Sequence, residues 1–255
     1  MHATTIALLA LAAFAAGWVD AIAGGGGLIQ LPALLLGLPV APTAAILGTN
    51  KCSSIIGTTA AMLTYRRKLP DAIKAAAPMA AVALVGAVCG ALLATHIPRS
   101  VFVPVIVVAL IAVALWTWFR PPIHESAQPV SSGRANAVRY GGGSVIGVYD
   151  GALGPGTGSF LITLLVAGLH INYVRASAMA KVVNLATNAG ALTVFALGGH
   201  VMWLLGLTMG ACNLVGGVLG ARTALRRGSS VVRAVLVVVS LALATRLIWT
   251  AISGS

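Results

Sequence analysis

Residues 17–38 read GWVDAIAGGGGLIQLPALLLGL, and residues 147–168 read GVYDGALGPGTGSFLITLLVAG. In each stretch an Asp, Asp20 or Asp150, stands four residues before a Gly cluster. The apolar segment after the cluster is only about eleven residues long, too short to cross a bilayer as a helix. Such a segment enters a membrane without crossing it. Clustered glycines let the backbone turn sharply and expose N–H groups, and the start of the following helix adds partial positive charge. That combination suits an anion.

The rest of the chain sets these hairpins in lipid. Hydrophobic residues make up 59% of the 255 and charged residues 8%, with a mean hydropathy of +1.00, which excludes a water-soluble domain and implies an all-α polytopic membrane protein. The net charge of +12 reflects a shortage of acids, only Asp20, Asp71, Glu125 and Asp150, more than an abundance of bases. Most bases sit in short clusters between apolar runs, where they orient a membrane protein; a nucleic-acid partner is not expected. Cys52, Cys89 and Cys212 are odd in number and lack CxxC spacing, so neither a disulfide framework nor a zinc site is read from them. Residues 1–23 end in a signal-like Ala21-Ile22-Ala23, but no Lys or Arg precedes them and residues 138–153 are an internal counterpart; they are expected to stay in the mature protein.

Apolar segments fall at about 3–23, 28–38, 44–65, 72–95 and 100–119, then again at about 138–153, 159–169, 174–198, 201–221 and 231–251. An offset of 130 aligns Gly17, Asp20, Gly24 and Gly26 with Gly147, Asp150, Gly154 and Gly156, and Lys51 with Lys181. It also aligns Met79, Gly86 and Gly90 with Met209, Gly216 and Gly220. One chain therefore carries two copies of one unit: residues 1–119, a polar linker at 120–137, and residues 138–255. Arg66, Arg67 and Lys68 follow the third segment of the first copy, whereas Arg222, Arg226 and Arg227 follow the fourth of the second. If basic loops face the cytoplasm, the copies have inverted topology, both termini lie on the non-cytoplasmic side, and the linker lies inside. Each unit is expected to hold three full spans plus one Gly-broken hairpin, either re-entrant or made of two tilted passes. Inverted repeats of this kind put a substrate site near the midplane, between broken helices.

Lys51 lies about seven residues into its segment, or roughly 10 Å deep in a hydrocarbon core of about 30 Å. Lys181 enters from the opposite face to a similar depth. A base so deep faces a partner or a water-filled cavity. Two readings stand: contact with a permeant anion, or snorkelling or pairing with Asp20 or Asp150. For Asp20 and Asp150 the choice is between charge balance, or capping of the Gly turn, and proton coupling. Around the lysines, Thr49, Asn50, Ser53 and Ser54 in one copy and Asn184, Thr187 and Asn188 in the other are neutral donors. The candidate substrate-binding set is therefore Lys51, Lys181, Gly24, Gly26, Gly27, Gly154, Gly156, Gly158, Ser159, Asn50, Ser54, Asn184 and Asn188. GPGTGS at 154–159 has no Lys-Ser or Lys-Thr after it, which argues against a nucleotide loop. No HExxH, GxSxG or paired-carboxylate arrangement supports an enzyme, no His is assigned to a metal, and no cofactor is expected.

The stretches WVDAIAGGGGLIQLPAL with GTNK, and GVYDGALGPGTGSF with AMAKVVNLATNAGAL, resemble the two signature regions of the TauE/SafE sulfite exporter family of bacterial membrane permeases. The resemblance runs through essentially the whole chain, including MGACNLVGGVLGAR. It implies transport of sulfur-containing anions such as sulfite, thiosulfate or sulfoacetate across the bacterial inner membrane, with the Gly turns, Lys51 and Lys181 at motif positions. The expectation is a secondary permease working by alternating access. A passive anion channel, a permease for a non-sulfur organic anion and a scaffolding subunit are the alternatives, and the oligomeric state, a homodimer included, is left open.

Overall fold

The computed structural model describes residues 3–119 and 130–227, together with Thr245 and Trp249; the expected last segment at 231–251 and most of the linker lie outside the described residues. The described chain is all helical. Helix α1 (Ala3–Ala23) breaks at the Gly cluster and α2 (Gly27–Gly37) doubles back along it, since a Cβ on Gly37 would rest 3.3 Å from the Leu9 side chain. Eleven residues of α2 extend about 17 Å, half a bilayer. The second hairpin repeats this: α7 (Ser132–Asn136), a π-helical turn (Ala137–Gly142) and α8 (Gly143–Ala152) run to the second cluster, and α9 (Thr157–Leu169) returns. A Cβ on Gly168 would come within 2.6 Å of Val138 Cγ2, at the far end of the outgoing arm.

The remaining helices are α3 (Thr43–Arg66), α4 (Pro70–Ala75), α5 (Ala77–Ala94), α6 (Arg99–Phe119), α10 (Tyr173–Leu197) and α11 (Trp203–Arg227). Two boundaries differ from the sequence expectation, each for a local reason. The segment expected at 72–95 is interrupted at Ala76, because Pro70 starts one helix and Pro78, lacking an N–H, starts the next. Helix also begins at Ser132, inside the expected linker, where Ser131 accepts a hydrogen bond from Arg134 N at 3.4 Å as an N-cap. Helices α1, α5, α10 and α11 are long and apolar enough to cross a bilayer. Helix α3, at 24 residues, has the length but carries its polar set mid-helix.

Packing partners are exchanged between the halves: α1 lies against α11 and α8 against α5, while α3 lies against α11 and α10 against α5. The seams are glycines on bare backbone. Gly216 and Gly220 face the backbone of Phe14 and Trp18, and Gly86 and Gly90 face that of Ser144 and Val148. Gly17 faces Asn213, and Gly147 faces Ala83. Every one of these contacts maps onto its counterpart at an offset of 130, for instance Phe14 onto Ser144. Such close approach is how helices gain contact in lipid, where no hydrophobic force draws them together.

The start of α3 meets the end of α10: Gly48 faces Phe195 and the His200 carbonyl, and Met202 N donates to Thr49 Oγ1 at 3.0 Å. Their other ends converge on the tip of α1, where Tyr65 and Tyr173 donate to the Ala21 and Ile22 carbonyls at 2.9 and 3.3 Å. Helices α3 and α10 therefore run in opposite directions.

Candidate functional site

The two hairpin tips meet. Ser159 N donates to Gly24 O at 3.1 Å and Ser159 Oγ to Ala23 O at 2.7 Å, and Gly27 faces the backbone of Gly154 and Pro155. Positive φ at Gly24 (75°), Gly154 (92°) and Gly156 (77°) makes the turns, a region where a Cβ is strained. Gly26 instead has an ordinary helical φ of −57°; it is small because a Cβ there would come 2.6 Å from Asp20 Cβ and 2.8 Å from Ala16 O.

Where α1 breaks, the carbonyls of Ala21, Ile22 and Ala23 have no helical partner, a costly condition in lipid. Each finds a donor. Asp20 O accepts from Lys181 Nζ at 2.6 Å and Gly24 N at 2.9 Å, Ala21 O from Tyr65, Ile22 O from Tyr173 and Ala23 O from Ser159. The end of α8 is held more locally: Tyr149 donates to Pro155 O at 2.6 Å, and Thr157 Oγ1 is 2.8 Å from Asp150 Oδ1 and 2.9 Å from Gly154 O.

Two ion pairs cross between the halves. Lys51 Nζ lies 2.9 Å from Asp150 Oδ2 and Lys181 Nζ 2.6 Å from Asp20 Oδ2. All four belong to helices with apolar surroundings, and both lysines are buried. Pairing keeps these charges from being isolated at low dielectric.

Between the tips lies a cavity of about 30 Å³. Its lining contains Lys51, Asp20, Asp150, Gly24, Gly26, Gly27, Gly154, Gly158, Asn50, Ser54, Asn184 and Asn188 from the set read in the sequence. Lys181, Gly156 and Ser159 lie outside the lining: Lys181 is turned to Asp20, Ser159 to the α1 tip, and Gly156 to the Val113 side chain of α6. Of the other polar residues, Thr49 Oγ1 donates to Ala45 O, and Thr187 Oγ1 to Asn184 O. The starts of α2 and α9 point at the cavity through Gly26, Gly27 and Gly158. Among the described residues no backbone carbonyl accepts from the N–H groups of Gly26 and Gly27. Exposed N–H groups and the helix dipole there favour negative charge.

Three lining residues escaped the sequence reading: Thr58, Thr157 and Asn213. Thr58 was within reach, seven residues past Lys51 and four past Ser54 on one helical face. Thr157 sits inside GPGTGS, where a turn-forming glycine run gives a hydroxyl no distinguishing signal. Asn213 had no signal, since its counterpart at an offset of 130 is Ala83. It arrives on α11 from the other half, donating to Gln30 Oε1 at 2.7 Å, while Gln30 Nε2 donates to Asn50 O at 3.3 Å. Asn50 Oδ1 and Asn184 Oδ1 are buried without a hydrogen-bond partner among the described residues. With hydroxyls, carboxamides, one ammonium and two helix starts, the lining can offer many donors to a small acceptor.

Proteins named as probable membrane transporters match this chain along most of its length. The family model described as sulfite exporter TauE/SafE matches residues 9–247. A Sinorhizobium protein named "Probable membrane transporter protein ORF9" is 40% identical over 95% of this chain and 92% of its own. A Haemophilus influenzae "Probable membrane transporter protein" is 32% identical over 96% and 94%, and the Escherichia coli K12 "Probable membrane transporter protein YfcA" 32% over 96% and 90%. No solved structure matches.

Proposed function

Because the chain belongs to the sulfite exporter TauE/SafE family of multi-pass membrane transporters, we propose that it is a secondary transporter that carries a small sulfur-containing anion, such as sulfite, thiosulfate or an organosulfonate, through the cavity between its hairpin tips. The observation that carries the reading is the meeting of two Gly-broken hairpins, each with a return helix too short to cross a bilayer, at a donor-rich cavity holding a buried lysine. An oxyanion accepts hydrogen bonds and donates none, so it matches the donors of this lining: Lys51, the amides of Asn50, Asn184, Asn188 and Asn213, the hydroxyls of Ser54 and Thr58, and the N–H groups at Gly26, Gly27 and Gly158. Gly24 and Gly154 shape the turns, and Lys181, Gly156 and Ser159 hold the tips from outside the lining.

The exchanged packing of α1, α11, α8 and α5, with the opposed directions of α3 and α10, supports two units of inverted topology about the cavity. A cavity of about 30 Å³ has room for about two waters, too little for a continuous pore that passes a four-atom oxyanion, which favours alternating access over a standing pore. The protein resides in the bacterial inner membrane, with both termini on the non-cytoplasmic side. The test is flux in proteoliposomes: saturable counterflow of sulfite, thiosulfate or sulfoacetate is expected. An ohmic anion conductance would make the protein a channel, and counterflow of carboxylates alone would remove sulfur from the cargo.

A further inference from the structure

The two Lys–Asp pairs are equivalent in sequence and unequal in structure. Lys181 is fully buried, stays out of the cavity lining, and donates to both the Asp20 carbonyl and its carboxylate at 2.6 Å. The tip it holds is further tied by Tyr65, Tyr173 and Ser159. Lys51 lines the cavity beside Gly154, whose added Cβ would sit 3.5 Å from Nζ. Its carboxylate partner, Asp150 Oδ2, is 2.9 Å away, and Thr157 binds the other oxygen.

From this inequality we infer that Lys51–Asp150 is the single exchange point of the site: one monovalent oxyanion takes the place of Asp150 on Lys51 as Asp150 takes up one proton, while Lys181–Asp20 stays closed as a pin. The inference rests on the anion-transport reading above. Its reason is charge. The four ionised side chains sum to zero, so an added monoanion leaves one uncompensated negative charge in a medium that screens poorly, and a dianion leaves two. A proton from solvent on Asp150 Oδ2, the oxygen that Lys51 leaves, restores zero for the monoanion and for no higher charge. The groups that face Asp150 permit this. From α3 comes Lys51; across the cavity stands Asp20, already matched by Lys181 of α10; α9 brings the Thr157 hydroxyl; and α5, packed on α8, brings no ionisable residue except the exposed Cys89. Tyr149, next to Asp150, spends its hydroxyl proton on Pro155 O.

The experiment is calorimetric titration of the detergent-purified full chain with methanesulfonate, a monoanion that does not itself titrate near neutrality. Two buffers of different ionisation enthalpy give the protons taken up per anion bound. Expected is one proton per methanesulfonate, a Kd that weakens about tenfold per pH unit above neutrality, and weaker binding of thiosulfate, a dianion. Asp150→Asn should bind methanesulfonate with no proton uptake and no pH dependence, whereas Asp20→Asn combined with Lys181→Met, which removes the second pair and keeps the sum of the remaining charges at zero, should melt earlier yet still take up one proton. The parent's proton count needs no variant to fold. Binding without proton uptake by the parent, uptake that persists in Asp150→Asn, or uptake lost when Asp20→Asn and Lys181→Met are combined overturns the inference and leaves anion transport standing. Acetate bound with one proton in place of methanesulfonate removes the sulfur cargo and keeps the exchange point; if none of the three anions binds, both readings fall.

Discussion

A Cβ at Gly26 and a Cβ at Gly156 would fail for unlike reasons, although the two positions align. The first would strike Asp20 Cβ and Ala16 O from an ordinary helical φ; the second would sit at a φ of 77° and press on Val113 at 2.7 Å. The four-glycine run against GPGTG thus has a physical basis that the letters alone did not reveal: the first tip is tight against its own helix, the second against α6. Gly26→Ala should therefore disturb Asp20 and weaken anion binding, while Gly156→Ala should lower the melting temperature, by the equivalent of about 1–3 kcal/mol, with less effect on affinity in the protein that remains folded. Gly133→Ala, with nothing within 4 Å of its Cβ, is the matched control and should change neither. Equilibrium binding and thermal unfolding on the same preparations separate the two effects. Lys51 and Asp150 were legible as charges in apolar sequence, and pairing of each Lys with Asp20 or Asp150 was one of the two readings, but the choice of partner was not legible. Nothing local to Lys51 says which Asp it meets, because the partner comes from the other half.

The element that organises the site is the broken end of α1. Four carbonyls in succession, Asp20 to Ala23, are satisfied by Lys181, Tyr65, Tyr173 and Ser159, which come from α10, α3, the start of α10 and α9. In water these carbonyls would be solvated; in a bilayer each unsatisfied one is expensive. Tyr65→Phe keeps the ring and deletes only the donor, leaving Ala21 O buried and unpaired, so it should cost about 1–3 kcal/mol of stability, read as a lower melting temperature in detergent. Ser159→Ala should cost a similar amount through Ala23 O. Neither should change the proton count on anion binding. The hairpin itself was readable from its length, since eleven residues cannot cross a membrane. The donors that close its end were not, because Tyr65 reads as an ordinary interfacial aromatic at the end of an apolar run, and Tyr173 as another.

At the scale of the molecule the sequence shows glycines, an Asp and a Lys recurring at one offset, and the close helix contacts of Gly86, Gly90, Gly216 and Gly220 fall at such positions. What could not be seen was which helix each seam meets, since an apolar pattern does not name its neighbour. If the copies are inverted, a Cys placed at Lys68 and one placed at Arg139 should react with an impermeant maleimide from the cytoplasmic side alone, and one at Ala3 from the outer side alone. The three native cysteines, Cys52, Cys89 and Cys212, must first be replaced. Labelling of the Arg139 position from outside alone would contradict inverted topology.

The glycine seam of α1 fits α11, and α11 begins only at Trp203. During synthesis α1 therefore leaves the ribosome and waits, its groove facing lipid or the insertion machinery, until translation reaches about the last fifth of the chain. A chain stopped at Phe119 has lost the partners of both α1 and α5, so quality-control proteolysis should remove it, while the same fragment co-expressed with residues 130–255 should survive. The order of translation thus places the cell's commitment to this protein near its end: until α11 is inserted there is no first half to keep.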